Sequence, residues 1–168
     1  MKIDEAREKF IHSWGTLSKE WGISKTTAKV HALLLISPEA LNADEIMSTL
    51  KISRGNANMT TRDLMKWGLV IKELRAGERK EYFRAEKDMW KVFVNIARER
   101  RKNELEPLIR LLLEMRQLEG DNKNKETRIF REVTDGIYEV ASRADKVLDM
   151  VSRSDQSWFM SAFFKLIK

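Results

Sequence analysis

Residues 53–67 read SRGNANMTTRDLMKW, and Arg54, Asn56, Asn58, Arg62 and Lys66 among them are long or planar hydrogen-bond donors. At about 100° per residue of helix, Ala57, Thr61 and Leu64 share one face. Gly55, Met59, Arg62 and Lys66 lie on the opposite face, with Asn56 and Asn58 toward its flanks. An Arg fork matches guanine O6 and N7, and an Asn amide matches adenine N6 and N7. Helix-start N–H groups can hold a phosphate, and Gly55, just behind the possible cap Ser53, lets a backbone come close. Lys51, Arg54, Arg62 and Lys66 against Asp63 leave the segment 51–67 strongly basic. This is the chemistry of reading bases and holding phosphates. Taken alone, the segment is also compatible with an ordinary solvated amphipathic helix.

The surrounding elements decide what that helix is part of. Apolar residues at Ile3, Ala6, Phe10, Trp14, Leu17 and Trp21 predict a first helix over 2–21, ended by Gly22. Ser24 or Thr26 can cap a second helix reaching Ile36, which Ser37-Pro38 stops. Asn42 with Glu45 has capping-box spacing and starts a short helix burying Ile46 and Leu50. Ser53 then caps the donor-rich helix, and Gly68 ends it. Two short helices joined by a tight turn form a helix-turn-helix pattern. The period then switches to that of strands, 69–74 and 81–86, around a turn in which Gly77 can take positive φ. A hairpin in that position is a wing. It carries Lys72, Arg75, Arg79, Lys80, Arg84 and Lys87 against four glutamates, with Arg79 and Lys80 nearest the tip. A wing Arg can enter a minor groove or meet phosphate.

Asp88 opens a long helix that Pro107 must kink or interrupt. The cluster Arg98, Arg100, Arg101 and Lys102 on it reads as a solvated helix face or a DNA-backbone contact. Residues 120–125 look like a loop. Phe130, Val133, Ile137, Val140, Ala144, Val147 and Val151 then keep strict 3-4 spacing, a seam suited to helix–helix packing. A last helix would place Phe159, Phe163 and Phe164 on one side. Cover from a partner subunit and packing within the monomer both account for these two stripes.

The strings SRGNANMTTRDLMKWGLV, AGERKEYF and the kinked RRKNELEPLIRLL resemble the GbsR branch of the MarR-type winged-helix regulators, over nearly the whole chain. Thr61 departs from that pattern, which favours an aliphatic residue there. The resemblance implies a homodimer whose terminal helices form its base, and in some members a response to choline-like osmoprotectant precursors. It makes a small-molecule effector a possible partner.

Composition sets outer bounds. A net charge of +6 suits an anionic partner, though solubility alone also accounts for it. With no cysteine, disulfides, thiolate metal sites and thiol nucleophiles are excluded. His12 and His31 stand in no metal-binding motif, and no phosphate loop or nucleophile elbow occurs, so neither an enzyme nor a metal or other cofactor is expected. The five Trp could build a cage for a quaternary ammonium, but each sits where a helix needs core. The charged N-terminus and the shortness of Ala32–Ile36, the longest apolar run, point to a cytoplasmic protein with no membrane span.

The expectation is therefore a mainly α winged helix-turn-helix with a small β-hairpin wing and N- and C-terminal dimerisation helices. Residues 1–23 form the N-terminal helix, 24–87 the DNA-binding domain and 88–168 the helical dimerisation region. Ser53, Arg54, Gly55, Asn56, Asn58, Met59, Arg62, Lys66, Arg79 and Lys80 are the expected contacts to double-stranded DNA. Phe130, Val133, Ile137, Val140, Ala144, Val147, Phe159, Phe163 and Phe164 are the expected dimer contacts. The action expected is that of a transcriptional regulator, read as a repressor, on a pseudo-palindromic operator. The rival is a winged helix used only for protein contacts, which the basic, polar face of 53–67 disfavours. A membrane-surface role for the C-terminal helix has only Lys165 and Lys168 to attract anionic lipid.

Overall fold

The computed structural model describes residues 1–18, 22–117 and 124–153. They fall into two units, Met1–Val92 and Phe93–Lys168.

Helix starts in the first unit are set by side-chain caps. After α1 (Ile3–Leu17), the Ser24 hydroxyl accepts the Thr27 N–H at 3.0 Å and begins α2 (Lys25–Ile36). Asn42 accepts the N–H groups of Asp44 and Glu45, and the Glu45 carboxylate accepts the Asn42 N–H at 2.7 Å. This reciprocal capping box opens α3 (Ala43–Leu50). Ser53 caps α4 (Arg54–Lys66) by accepting the Asn56 N–H. At the far end of α4, Gly68 turns to φ 66°, its N–H reaching the Met65 carbonyl while that of Leu69 reaches Leu64. That double bond pattern is a Schellman stop. The predicted first helix continued to Trp21; α1 is assigned through Leu17, and Trp21 lies outside the described residues.

The two-residue strand β1 (Leu41–Asn42) was not anticipated. It pairs antiparallel with β3 (Glu81–Ala85), which also pairs antiparallel with β2 (Val70–Leu74), giving the order β1-β3-β2. Asn42 thus ends a strand and caps a helix at once. Lys87 donates to the Ser37 carbonyl at 2.7 Å and ties the exit of β3 to the end of α2.

The core of this unit is built on α2, where Ala28, Val30, Ala32, Leu33 and Leu34 are buried. Ile46 from α3, Ala57 and Leu64 from α4, and Val70, Phe83 and Ala85 from the sheet complete it. Gly15 marks the crossing of α1 over α2: a Cβ there would stand 2.8 Å from the Lys29 side chain. Mainly α with a small antiparallel sheet, this is the winged helix-turn-helix architecture expected.

In the second unit the chain follows α5 (Met89–Arg100, begun in the first) through a π-helical turn at Arg101–Leu105 into α6 (Glu106–Met115). Pro107, near the start of α6, lacks the N–H that a continuous α-helix would use. The Glu106 N–H instead reaches the Arg101 carbonyl, five residues back. The last described element is α7 (Lys125–Arg153), 29 residues long. Arg101, expected on a solvated or DNA-facing cluster, instead holds Asp145 at 2.7 Å and Asp149 at 3.1 Å on α7. Thr134, Ala141 and Val151 are the buried residues of α7. Phe130, Val133, Ile137, Val140, Ala144 and Val147 are exposed on an adjacent face, Val140 to 69%. No helix among the described residues is long and apolar enough to cross a membrane.

His31 is buried on α2 and its Nε2 has no hydrogen-bond partner among the described residues. Burial lowers its pKa from 6.5 to about 4. Above pH 6.5 both folded and unfolded chains hold it neutral. As the pH falls from 6.5 to about 4, only the unfolded chain takes up the proton, so stability is lost across that window. The loss should approach about 3 kcal/mol, at about 1.4 kcal/mol per pH unit. Denaturant melts of wild type and His31→Leu between pH 7 and pH 4 measure it, and parallel pH dependences in the two proteins would contradict it.

Candidate nucleic-acid interface

The predicted inward face of α4 is the buried one. Ala57, Thr61 and Leu64 are in the core, joined by Thr60, which spacing alone did not select. Thr61, the departure from the family pattern, donates its hydroxyl to the carbonyls of Ala57 at 2.9 Å and Asn58 at 3.1 Å. Its polar atom is thereby satisfied inside the helix itself, and its methyl is left to pack.

Every residue predicted for the outer face is exposed: Ser53, Arg54, Gly55, Asn56, Asn58, Met59, Arg62 and Lys66. Gly55 has no positive φ, and a Cβ there would meet nothing nearer than the Ser53 hydroxyl at 4.0 Å. The protein's own packing therefore does not require glycine at this point. What glycine leaves is bare backbone at the start of an exposed helix.

The turn between α3 and α4 is tight because Lys51 adopts the left-handed conformation, φ 54° and ψ 47°. The N–H groups of Lys51 and Ile52 both return to the Met47 carbonyl. A lysine there was not readable as a turn residue, since Gly or Asn is the usual sign.

The wing is β2, β3 and their connection. Gly77 takes φ 81° as expected, and the Glu78 N–H closes the turn on the Arg75 carbonyl at 3.1 Å. Ion pairs brace the ladder: Lys72 with Glu81 at 2.8 Å and Arg84 with Glu73 at 2.6 Å. The Tyr82 hydroxyl donates to Glu78, and this bond to a carboxylate raises the phenol pKa. The Arg75 guanidinium lies 3.8 Å from the Tyr82 ring centre. Arg79 and Lys80 are both exposed on the connecting turn.

One carboxylate joins these parts. Asp44, in the first turn of α3, lies 2.6 Å from Arg54 at the start of α4 and 3.2 Å from Lys80 of the wing. Lys66 has a looser partner in Asp63, at 3.6 Å. Among the described residues neither Arg62 nor Arg79 is engaged in an ion pair. The site thus brings together all the residues predicted for it, and adds Asp44, which no local pattern singled out. Of the predicted dimer contacts, Phe159, Phe163 and Phe164 lie outside the described residues.

Three comparisons with known proteins bear on this arrangement. Residues 17–87 match the family model described as "Sugar-specific transcriptional regulator TrmB". That stretch contains α2, the helix-turn-helix and the wing. No curated protein matches the chain. A solved structure described as "Crystal Structure of a transcriptional regulator" superposes with a TM-score of 0.57 at 19% identity, covering 86% of this chain and 99% of that one. At that identity the likeness establishes the fold.

The left-handed turn gives a direct test of how the α3–α4 geometry is held. Lys51→Gly removes the steric cost of a Cβ in that conformation, of order 1–2 kcal/mol, and loses part of it to the greater freedom of the unfolded chain. Urea melts should show a net gain of about 0.5–1 kcal/mol. A loss of stability would mean that the lysine side chain itself supports the turn.

Proposed function

We propose that this chain is a DNA-binding transcription regulator that acts as a homodimer on a pseudo-palindromic operator, with α4 in the major groove and the wing beside it. The observation that carries the reading is the division of α4. Its inner face is buried to the last residue, while its outer face offers Asn, Arg and Lys to solvent next to an exposed basic wing turn. The family model over 17–87 and the solved regulator of like fold support the same reading. The GbsR-type resemblance rests on SRGNANMTTRDLMKWGLV and AGERKEYF and is the narrower form of it. Selection of bound duplexes from a random pool tests it, because a regulator of this kind enriches two related half-sites about one helical turn apart. Occlusion of a promoter by such a dimer is repression. Two effector chemistries follow from the likenesses: a sugar from the family model's name, and a choline-like cation from the GbsR-type resemblance. A thermal-shift screen with both classes tests them together.

Arg62 stands exposed on the outer face, without an ion pair among the described residues. Arg62→Ala is expected to weaken binding to the selected site by about 1–3 kcal/mol and to relax preference at one base position. Unchanged affinity and unchanged preference in an anisotropy titration would remove the base-reading role.

Arg79 carries the wing's uncommitted charge. Its replacement by Ala should weaken binding evenly across sequences and reduce the magnitude of the slope of log K against log salt by about 0.9, as for one phosphate contact. A wild-type slope in the variant would show that the wing tip leaves the phosphates alone.

The dimer is assigned to the exposed seam of α7. Val133, Val140 and Val147 stand more than half exposed, with Phe130 and Ile137 between them. Continuous apolar surface of this kind is uncommon on monomers, and a seam at 3-4 spacing on a second copy fits it by symmetry. Val133→Asp with Val140→Asp should give folded monomers in light scattering and circular dichroism. A folded dimer of unchanged mass would place the interface elsewhere, with the C-terminal stripe of Phe159, Phe163 and Phe164 the next segment to test.

A further inference from the structure

Asp44 is the one acidic side chain shared by the two basic elements of the interface. Its place is fixed by the backbone rather than by its own ion pairs. It sits in the first turn of α3, where its N–H is held by Asn42 at 2.9 Å and where a carboxylate is favoured by the helix dipole. From that anchored position it takes Arg54 at 2.6 Å from α4 and Lys80 at 3.2 Å from the wing. All three side chains are substantially open to solvent. Exposed pairs of this kind add little to stability, so fold stability does not account for a single carboxylate holding two cations. Their effect is on charge: two of the basic groups that face outward are compensated, and Arg62 and Arg79 are not.

We infer that Asp44 limits the protein's affinity for arbitrary DNA by holding Arg54 and Lys80 in intramolecular pairs, leaving attachment to groups that act in a fixed register. The inference rests on the DNA-binding reading and deepens it. DNA of random sequence is held by phosphate contacts alone, and each cation that neutralises a phosphate releases counterions. Arg54 and Lys80 can do so only by giving up Asp44. Removing that carboxylate frees both cations, so it adds to binding that needs no sequence.

The experiment compares wild type, D44N, D44A, R54Q/K80Q and R54Q/K80Q/D44N on a random-sequence duplex, by anisotropy across a series of salt concentrations. D44N and D44A are expected to bind about three- to tenfold more tightly near 0.1 M salt, with a salt slope steeper by up to about 0.9 for each cation freed. In the R54Q/K80Q background, D44N should bring no comparable gain, because the cations it would free are gone. Circular dichroism checks that α3 is intact in each protein. If D44N and D44A match wild type in affinity and slope, or bind more weakly while folded, the inference is overturned and the DNA-binding reading stands. An equal gain from D44N in both backgrounds also overturns it, since the effect is then one of net charge. If no protein in the set shows salt-dependent binding to any duplex, the DNA-binding reading falls, and the inference with it.

Discussion

The first unit depends on one packing constraint. α4 has to bury a face made only of Ala57, Thr60, Thr61 and Leu64. These are small or compact side chains, so the helix can lie close to α2, whose Ala28, Ala32 and Leu33 are themselves buried. A close, narrow contact leaves most of the circumference of α4 in water. The caps at Asn42 and Ser53, the left-handed Lys51 and the Schellman stop at Gly68 all serve that contact. They fix where α4 begins, how it is entered and where it must end, so its outer residues are presented at a set angle rather than by side-chain reach.

Charge around the interface is arranged differently from what the sequence totals suggest. The hairpin has many basic residues, but Lys72 and Arg84 are spent on Glu81 and Glu73 across the ladder. These cross-strand pairs hold the register of β2 on β3, a structural use of charge. Arg101 serves in the same way within the second unit, joining the π-helical turn to α7 through Asp145 and Asp149. A count of cations therefore overstates how many are available to a polyanion.

Much of this was legible in the chain itself, because local rules leave local signs. The capping box, the Ser53 cap, Gly68, Gly77 and the interruption at Pro107 each follow from one or a few adjacent residues, and the structure has them where they were expected. The outer face of α4 was readable for the same reason: helical periodicity sorts its residues without reference to the rest of the fold. What was not legible depends on residues far apart. β1 exists because Leu41 meets Phe83, and two residues carry no periodicity. Asp44 looked like one more acid in a helix's first turn, and its pairing with Lys80 spans the whole helix-turn-helix. Lys51 is left-handed because the α3–α4 turn demands it, against the preference of its own side chain. Thr60 is buried because α4 presses α2 over a wider arc than the three predicted positions span. On α7 the regular apolar seam was the visible signal, yet its narrow buried face runs through Thr134 and Ala141, which hydropathy alone does not mark.

The π-helical turn at Arg101–Leu105 has a consequence for how the chain tolerates change in length. A π turn accommodates about one residue more than the α turn it replaces, so it behaves as an insertion absorbed in place, beside a proline that could not have continued the ladder. Removing one of the exposed residues Lys102 or Asn103 would restore α spacing locally and turn everything after it by about 100°. Leu112, the buried residue of α6, would rotate out, and a neighbour such as Leu111 or Leu113 would have to replace it. A run of three leucines at 111–113 can survive such a shift of phase with an apolar side chain still facing inward. The second unit should for that reason accept single-residue deletions here more readily than in α4, where Asn58 or Arg62 would be turned into the core.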